Sequence, residues 1–181
     1  MSYPSFSAGD VLTATDMNAV GLWLIKTQTF TSSASENIEN VFSSDFRNYK
    51  ILMTIHGTGS AVRSVNLRWR TGTTNAQGSD YYPKGWYNFG TLTGYSPAAQ
   101  TSAYVGDCFN NAQYPAYFSL DVFNPNQASR TTIIGQAMES YNIYAYNFNN
   151  VHAVATAYTG FNLFADADNL TGTVRVYGYR N

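Results

Sequence analysis

The sequence predicts an all-β protein: a jelly-roll-like β-sandwich of eight to ten antiparallel strands, with a short N-terminal arm and helix. Three observations carry this. Segments alternating apolar and polar residues with period two recur along the chain, bounded by turn-forming residues every 8–12 positions or so. The composition favours strands: aromatics reach 16 % and charged residues only 12 % of the 181 residues, so Tyr, Phe, Thr and Val stand where helix-forming Lys and Glu are usual. The most regular segment, Leu170 to Arg180, closes the sequence. It places Leu170, Gly172, Val174, Val176 and Gly178 on one face and Thr171, Thr173, Arg175, Tyr177 and Tyr179 on the other. A strand so patterned belongs inside a sheet, with earlier strands beside it.

Two regions are expected: an arm over residues 1–20 and a sandwich over residues 21–181. In the arm, Thr13-Ala14-Thr15-Asp16 offers a capping box for a helix of about Ala14 to Val20. So short a helix needs something to dock on. It either closes one end of the sandwich or fastens the protein to a neighbour.

From Gly21 the strands follow in order. Leu22 to Phe30 is the first, and Ile38 to Phe42 a short second. Tyr49 to His56 puts Tyr49, Ile51, Met53 and Ile55 on one side. Val65 to Arg70 turns Val65, Leu67 and Trp69 inward and Asn66, Arg68 and Arg70 outward. Residues 71–113 read as a long, irregular connection, which favours a jelly roll over a plain meander. Ala116 to Phe123, Arg130 to Glu139 and Asn142 to Phe148 restore regularity. Val151 to Tyr158, Phe161 to Phe164 and the final strand complete the set.

Charge and cysteine content narrow the function. A formal net charge of −1 makes no electrostatic case for nucleic acid or an anionic membrane. A surface so poor in charge favours association with other subunits. One cysteine, Cys108, excludes an intrachain disulfide and a cysteine zinc cluster. No apolar run reaches membrane-spanning length, and no secretion signal is expected.

The chemistry-bearing residues argue for a non-enzymatic protein without cofactor or metal. His56 and His152 are the only histidines, no motif sets either beside Cys108, and no G-x-S-x-G elbow occurs. Asp107, Asp121 and Glu139 are candidates for a glycosidase pair, but nothing singles out two of them. Asp166-Ala167-Asp168-Asn169 lacks the glycine and further ligands of a calcium loop. Arg63, Arg68 and Arg70 with Trp69 form the one basic cluster, read as a solvated or subunit-contacting stripe. The aromatic loop Tyr81 to Phe89 is the best site candidate, with Tyr81, Tyr82, Trp86 and Tyr87 as contacts. It serves as packing over the core, as a subunit interface, or, last of the three, as a sugar-stacking face.

Two stretches carry a resemblance. Phe6-Ser7-Ala8-Gly9-Asp10-Val11-Leu12-Thr13-Ala14-Thr15-Asp16-Met17-Asn18-Ala19 resembles a leader found at the front of many tailed-bacteriophage virion proteins. Thr29-Phe30, Asn40-Val41-Phe42-Ser43, Tyr49-Lys50-Ile51-Leu52 and the closing Leu170 to Tyr179 are similar to single-domain phage structural proteins. The resemblance implies a particle component of tail-fibre, tail-tip or capsid-decoration type, assembled in the host cytoplasm and commonly trimeric. It implies attachment to other virion proteins through Phe6, Val11, Leu12 and Met17. It leaves Arg175, Tyr177 and Tyr179 as the expected subunit contacts, and a host surface glycan as the possible ligand of a receptor-binding head.

Overall fold

The computed structural model describes residues 9, 21–59 and 61–179. The expected arm helix and the attachment residues Phe6, Val11, Leu12 and Met17 lie outside the described residues, as does Arg180.

Among the described residues, thirteen strands build two antiparallel sheets facing each other across one core. They are β1 (Leu22–Ser33), β2 (Ser35–Ile38), β3 (Asn48–Gly57), β4 (Arg63–Thr71), β5 (Thr74–Asn75), β6 (Tyr81–Asn88) and β7 (Leu92–Tyr95). Then come β8 (Ala103–Cys108), β9 (Ala116–Phe123), β10 (Thr131–Glu139), β11 (Tyr144–His152), β12 (Gly160–Ala165) and β13 (Leu170–Tyr179). The large sheet runs β1-β13-β3-β9-β10-β11-β6-β7. The small one runs β2-β12-β4-β5, with β8 also paired to β4.

The excess over eight to ten strands comes from the middle of the chain. Residues 71–113 are not an irregular connection; they contain β5, β6, β7 and β8. Glycine, proline and crowded aromatics mask the alternation there. The expected strand Val151 to Tyr158 is also corrected. Val151 and His152 end β11, and residues 153–159 form no strand. There the Tyr158 amide donates to the Pro125 carbonyl and the Thr159 amide to the Arg70 carbonyl, so the backbone is satisfied without a ladder.

The strand expected over Ile38 to Phe42 is corrected as well: β2 ends at Ile38 and residues 39–47 form no strand. The faces of β3, β9 and β13 follow the alternation. Tyr49, Ile51, Met53 and Ile55 of β3 are buried, as are Phe118, Leu120 and Val122 of β9 and Val174 and Val176 of β13. From the small sheet come Val65, Leu67, Trp69, Phe161 and Leu163. Phe42 ties the layers together, its ring 4.8 Å from Tyr49, 5.9 Å from Trp69 and 6.0 Å from Phe161. Rings at such separations add to the gain from burial alone. β13 lies between β1 and β3, an interior position. The Phe46 ring covers Gly178 so closely that a Cβ there would sit 2.3 Å from it.

β8 is where the layers come closest. Its pairing with β4 slips by one residue between Val65 and Asn66, leaving Val105 in a bulge beside Gly106. Gly106 adopts φ +122°, and a Cβ on it would meet Ala137 Cβ at 2.9 Å. Only glycine fits that backbone and that gap.

Arg70 departs from the outward, solvated position expected for it. It is 4 % exposed, paired with Glu39 at 2.9 Å and hydrogen-bonded to Asn75. The rest of the basic cluster is likewise taken up by local partners. Arg63 pairs with Asp168, and Arg68 stacks on the Phe164 ring while donating to the Thr101 carbonyl.

A candidate recognition face on the large sheet

The aromatic segment Tyr81 to Phe89 is strand β6 for all but its last residue, hydrogen-bonded to β11 on one side and β7 on the other. Because a strand points alternate side chains to opposite faces, it divides the four expected contact residues. Tyr81 and Tyr87 face the core; Tyr82 and Trp86 face outward. Tyr81 is fully buried, its hydroxyl donating to the Ala76 carbonyl and accepting from the Trp69 amide, both at 3.0 Å. Burial pushes its hydroxyl well above the ordinary tyrosine range. Tyr81 is therefore a strut between the sheets and no ligand contact. Tyr87 is half-buried, stacked on Phe89 at 4.5 Å.

The outward residues meet partners that the sequence kept far apart. Following the register from strand to strand, Arg175 of β13 opposes Leu52 of β3, and Leu52 opposes Ser119 of β9. Ser119 opposes Gln136 of β10, Gln136 opposes Asn147 of β11, and Asn147 opposes Trp86 of β6. One transverse row thus joins the expected ligand residue Trp86 to the expected subunit residue Arg175. Thr173, Thr54, Tyr117, Met138 and Ala145 form the row on one side. Tyr177, Lys50, Asp121, Ile134, Asn149 and Lys84 form the row on the other. Beyond it, Tyr179 and Tyr82 stand at opposite ends of a further row.

This outer face holds a groove of about 560 Å³, whose lining includes Trp86, Tyr117, Gln136, Met138 and Arg175. A smaller hollow of about 200 Å³ on the same face touches Gln136, Asn147, Lys50 and Asp121. Trp86 is 44 % and Tyr117 53 % exposed, and Ile134 and Met138 are exposed beside them. Large apolar side chains on an outward strand face, interleaved with amides and hydroxyls, make this the candidate recognition surface.

Charges on this face are few. Lys50 pairs with Asp121 at 3.0 Å, and the other Asp121 oxygen accepts from the Tyr179 hydroxyl. Burial raises the Tyr179 hydroxyl to about 12, helped by its bond to Asp121. Arg175 is exposed and makes no ion pair among the described residues.

No protein-family model matches the chain. No curated protein matches its sequence either.

The residues weighed for catalysis have other work. Cys108 is buried and its thiol pushed up to about 12, chiefly by burial and then by nearby Asp107; a nucleophile needs the thiolate. His56 Nδ1 contacts the Gly57 carbonyl, and His152 Nδ1 meets the Tyr158 hydroxyl at 3.1 Å. Asp107 accepts from the Tyr104 and Tyr146 hydroxyls at 3.0 and 2.9 Å. Burial raises its carboxyl, and these bonds oppose the shift. Glu139 is fully buried and caps the β10–β11 turn, accepting from the Tyr141 and Asn142 amides. Asp166 accepts from the Ser64 amide while Asp168 pairs with Arg63, so the two acids of the expected loop turn to separate partners.

Sequence reasoning named the two ends of the groove, Trp86 and Arg175, and missed its floor. Leu52, Thr54, Tyr117, Gln136 and Met138 escaped because each is ordinary in its own strand. The available signal was Tyr117 and Met138, large residues on the polar side of alternating strands.

Proposed function

We propose that the chain is a non-enzymatic structural protein of a tailed-bacteriophage particle, whose sandwich is a receptor-binding head that takes a host surface glycan across the outer face of its large sheet. The observation that carries the binding half of this reading is the groove. It sets the exposed Trp86 and Tyr117 rings beside Ser119 and Gln136, with Asn147 at its margin. Flat rings cover the apolar face of a pyranose while neighbouring amides and hydroxyls bond its hydroxyls. The phage half rests on the likeness of residues 6–19 and of the closing strand to virion proteins. In it, residues 1–20 fasten the head to tail or capsid proteins, and the assembled particle is the protein's location.

A second reading, self-association of heads as a trimer, has an observation of its own. β1 is an edge strand of the large sheet, and Leu22, Trp23 and Leu24 at its start are all about half exposed. Exposed apolar edges are where chains pair.

A glycan array probed with wild type and Trp86→Ala tests the first reading. Binding by wild type that Trp86→Ala abolishes supports it; an array blank for wild type refutes it. Light scattering at micromolar concentration tests the second, which a stable monomer overturns. Deletion of residues 1–20 tests attachment: virions that still incorporate the truncated protein would show that the arm is not what holds it.

A further inference from the structure

We infer that the groove selects acidic glycans, with the Arg175 guanidinium taking a sugar carboxylate at the end opposite Trp86. This rests on the glycan reading above and adds the chemical class of the ligand. Three observations lead to it. First, Arg175 lies in the same transverse row as Trp86, at the β13 end, and both line the one groove. Five strand spacings separate them, about 24 Å along a flat sheet, so a ligand touching both is an extended chain of sugars rather than one ring.

Second, among the described residues Arg175 is the only charged one that lines the groove. The neighbouring cation, Lys50, is already matched by Asp121, and that carboxylate is shared with the Tyr179 hydroxyl. Arg175 has no such partner among the described residues. The bound ligand must therefore meet an uncompensated positive charge at one end and none of either sign along the rest.

Third, the groove's remaining lining is apolar or neutral: Leu52, Thr54, Tyr117, Gln136 and Met138 among them. An anion in such surroundings gains its hydrogen bonds from the guanidinium fork, which fits a planar carboxylate through two parallel N–H donors. A neutral sugar occupying the same place leaves that fork to water and gains less.

The test uses the full chain on a panel of polysaccharides printed in pairs, each uronate-containing polymer beside its carboxyl-reduced, neutral form. Sulfated and phosphorylated polymers form a third arm. Wild type is expected to prefer the uronate member by at least about tenfold, the factor one charge-assisted contact supplies. Arg175→Gln is expected to bind both members alike, at the level wild type shows for the neutral one. Arg175→Lys keeps the charge without the fork and should recover part of the preference. Arg175 is exposed, so an unchanged melting temperature in both variants certifies the fold. Equal binding of both members by wild type overturns this inference and leaves the glycan reading standing. Preference for the sulfated or phosphorylated arm over the uronates overturns the carboxylate assignment. Failure to bind any polymer defeats the glycan reading and this inference with it.

Discussion

Replacing Tyr81 by Phe removes one oxygen from the interior and nothing else. That oxygen holds the Trp69 amide and the Ala76 carbonyl, each at 3.0 Å; Tyr81 and Trp69 have no solvent access, while Ala76 is partly buried. Both groups are left without this partner in the variant. The Trp69 carbonyl is occupied by the Ala76 amide at 2.8 Å, so the backbone there has little freedom to find substitutes. An orphaned buried donor or acceptor costs about 1–3 kcal/mol; the buried Trp69 amide carries that cost, and the Ala76 carbonyl, on a partly exposed residue, adds less. For a chain of this size the urea dependence is about 2–3 kcal/mol per molar, so the unfolding midpoint should fall by about 1 M with its slope unchanged. Tyr82→Phe, one residue along and facing outward, should shift stability by less than about 0.5 kcal/mol. Equilibrium urea unfolding, followed by tryptophan fluorescence, measures both. If Tyr81→Phe unfolds at the wild-type midpoint, or Tyr82→Phe matches its loss, the division of β6 into a core face and an outer face is wrong.

Other consequences follow from the packing. Gly135→Ala would place a Cβ 2.5 Å from the Phe148 ring and 3.0 Å from Leu120. Overpacking of this kind costs about 1–3 kcal/mol, and calorimetry should register about 2–4 °C of lost melting temperature per kcal/mol. His152 is buried, and burial lowers its pKa below the ordinary 6.5 against the opposing pull of Asp80 and the Val154 carbonyl. A lowered histidine stabilises the fold fully above pH 6.5 and loses that contribution as the pH falls through its folded value. His152→Gln should therefore flatten the acid limb of a stability–pH profile below 6.5; identical slopes in variant and wild type would refute it. Asp107 runs the other way: with its carboxyl raised by burial, its contribution is complete below the ordinary aspartate pKa of about 3.9. It is lost as the pH rises through the folded value. Asp107→Asn, measured against wild type in the same profile, should lose less stability above that range than below it.

The class of fold and the two faces of the regular strands were legible in the residue pattern. Tyr49, Ile51, Met53 and Ile55 of β3 alternate with polar neighbours, and water sorts such a pattern onto one side of a sheet wherever it lies. The closing strand was legible for the same reason, down to Arg175, Tyr177 and Tyr179 on its outer side. Local pattern does not carry connection order, so it could not say which strands become neighbours, nor establish the jelly-roll winding. It also misread β6, where Pro83, Gly85 and crowded aromatics conceal the alternation that hydrogen bonds to β11 and β7 enforce. Burial of Arg70 depended on Glu39 and Asn75 arriving from elsewhere in the chain. The groove belongs wholly to the tertiary structure. Trp86 and Arg175 are 89 positions apart in sequence, and only the register of six strands sets them in one row. A strand's own residues decide which way its side chains point; its neighbours decide what they point at.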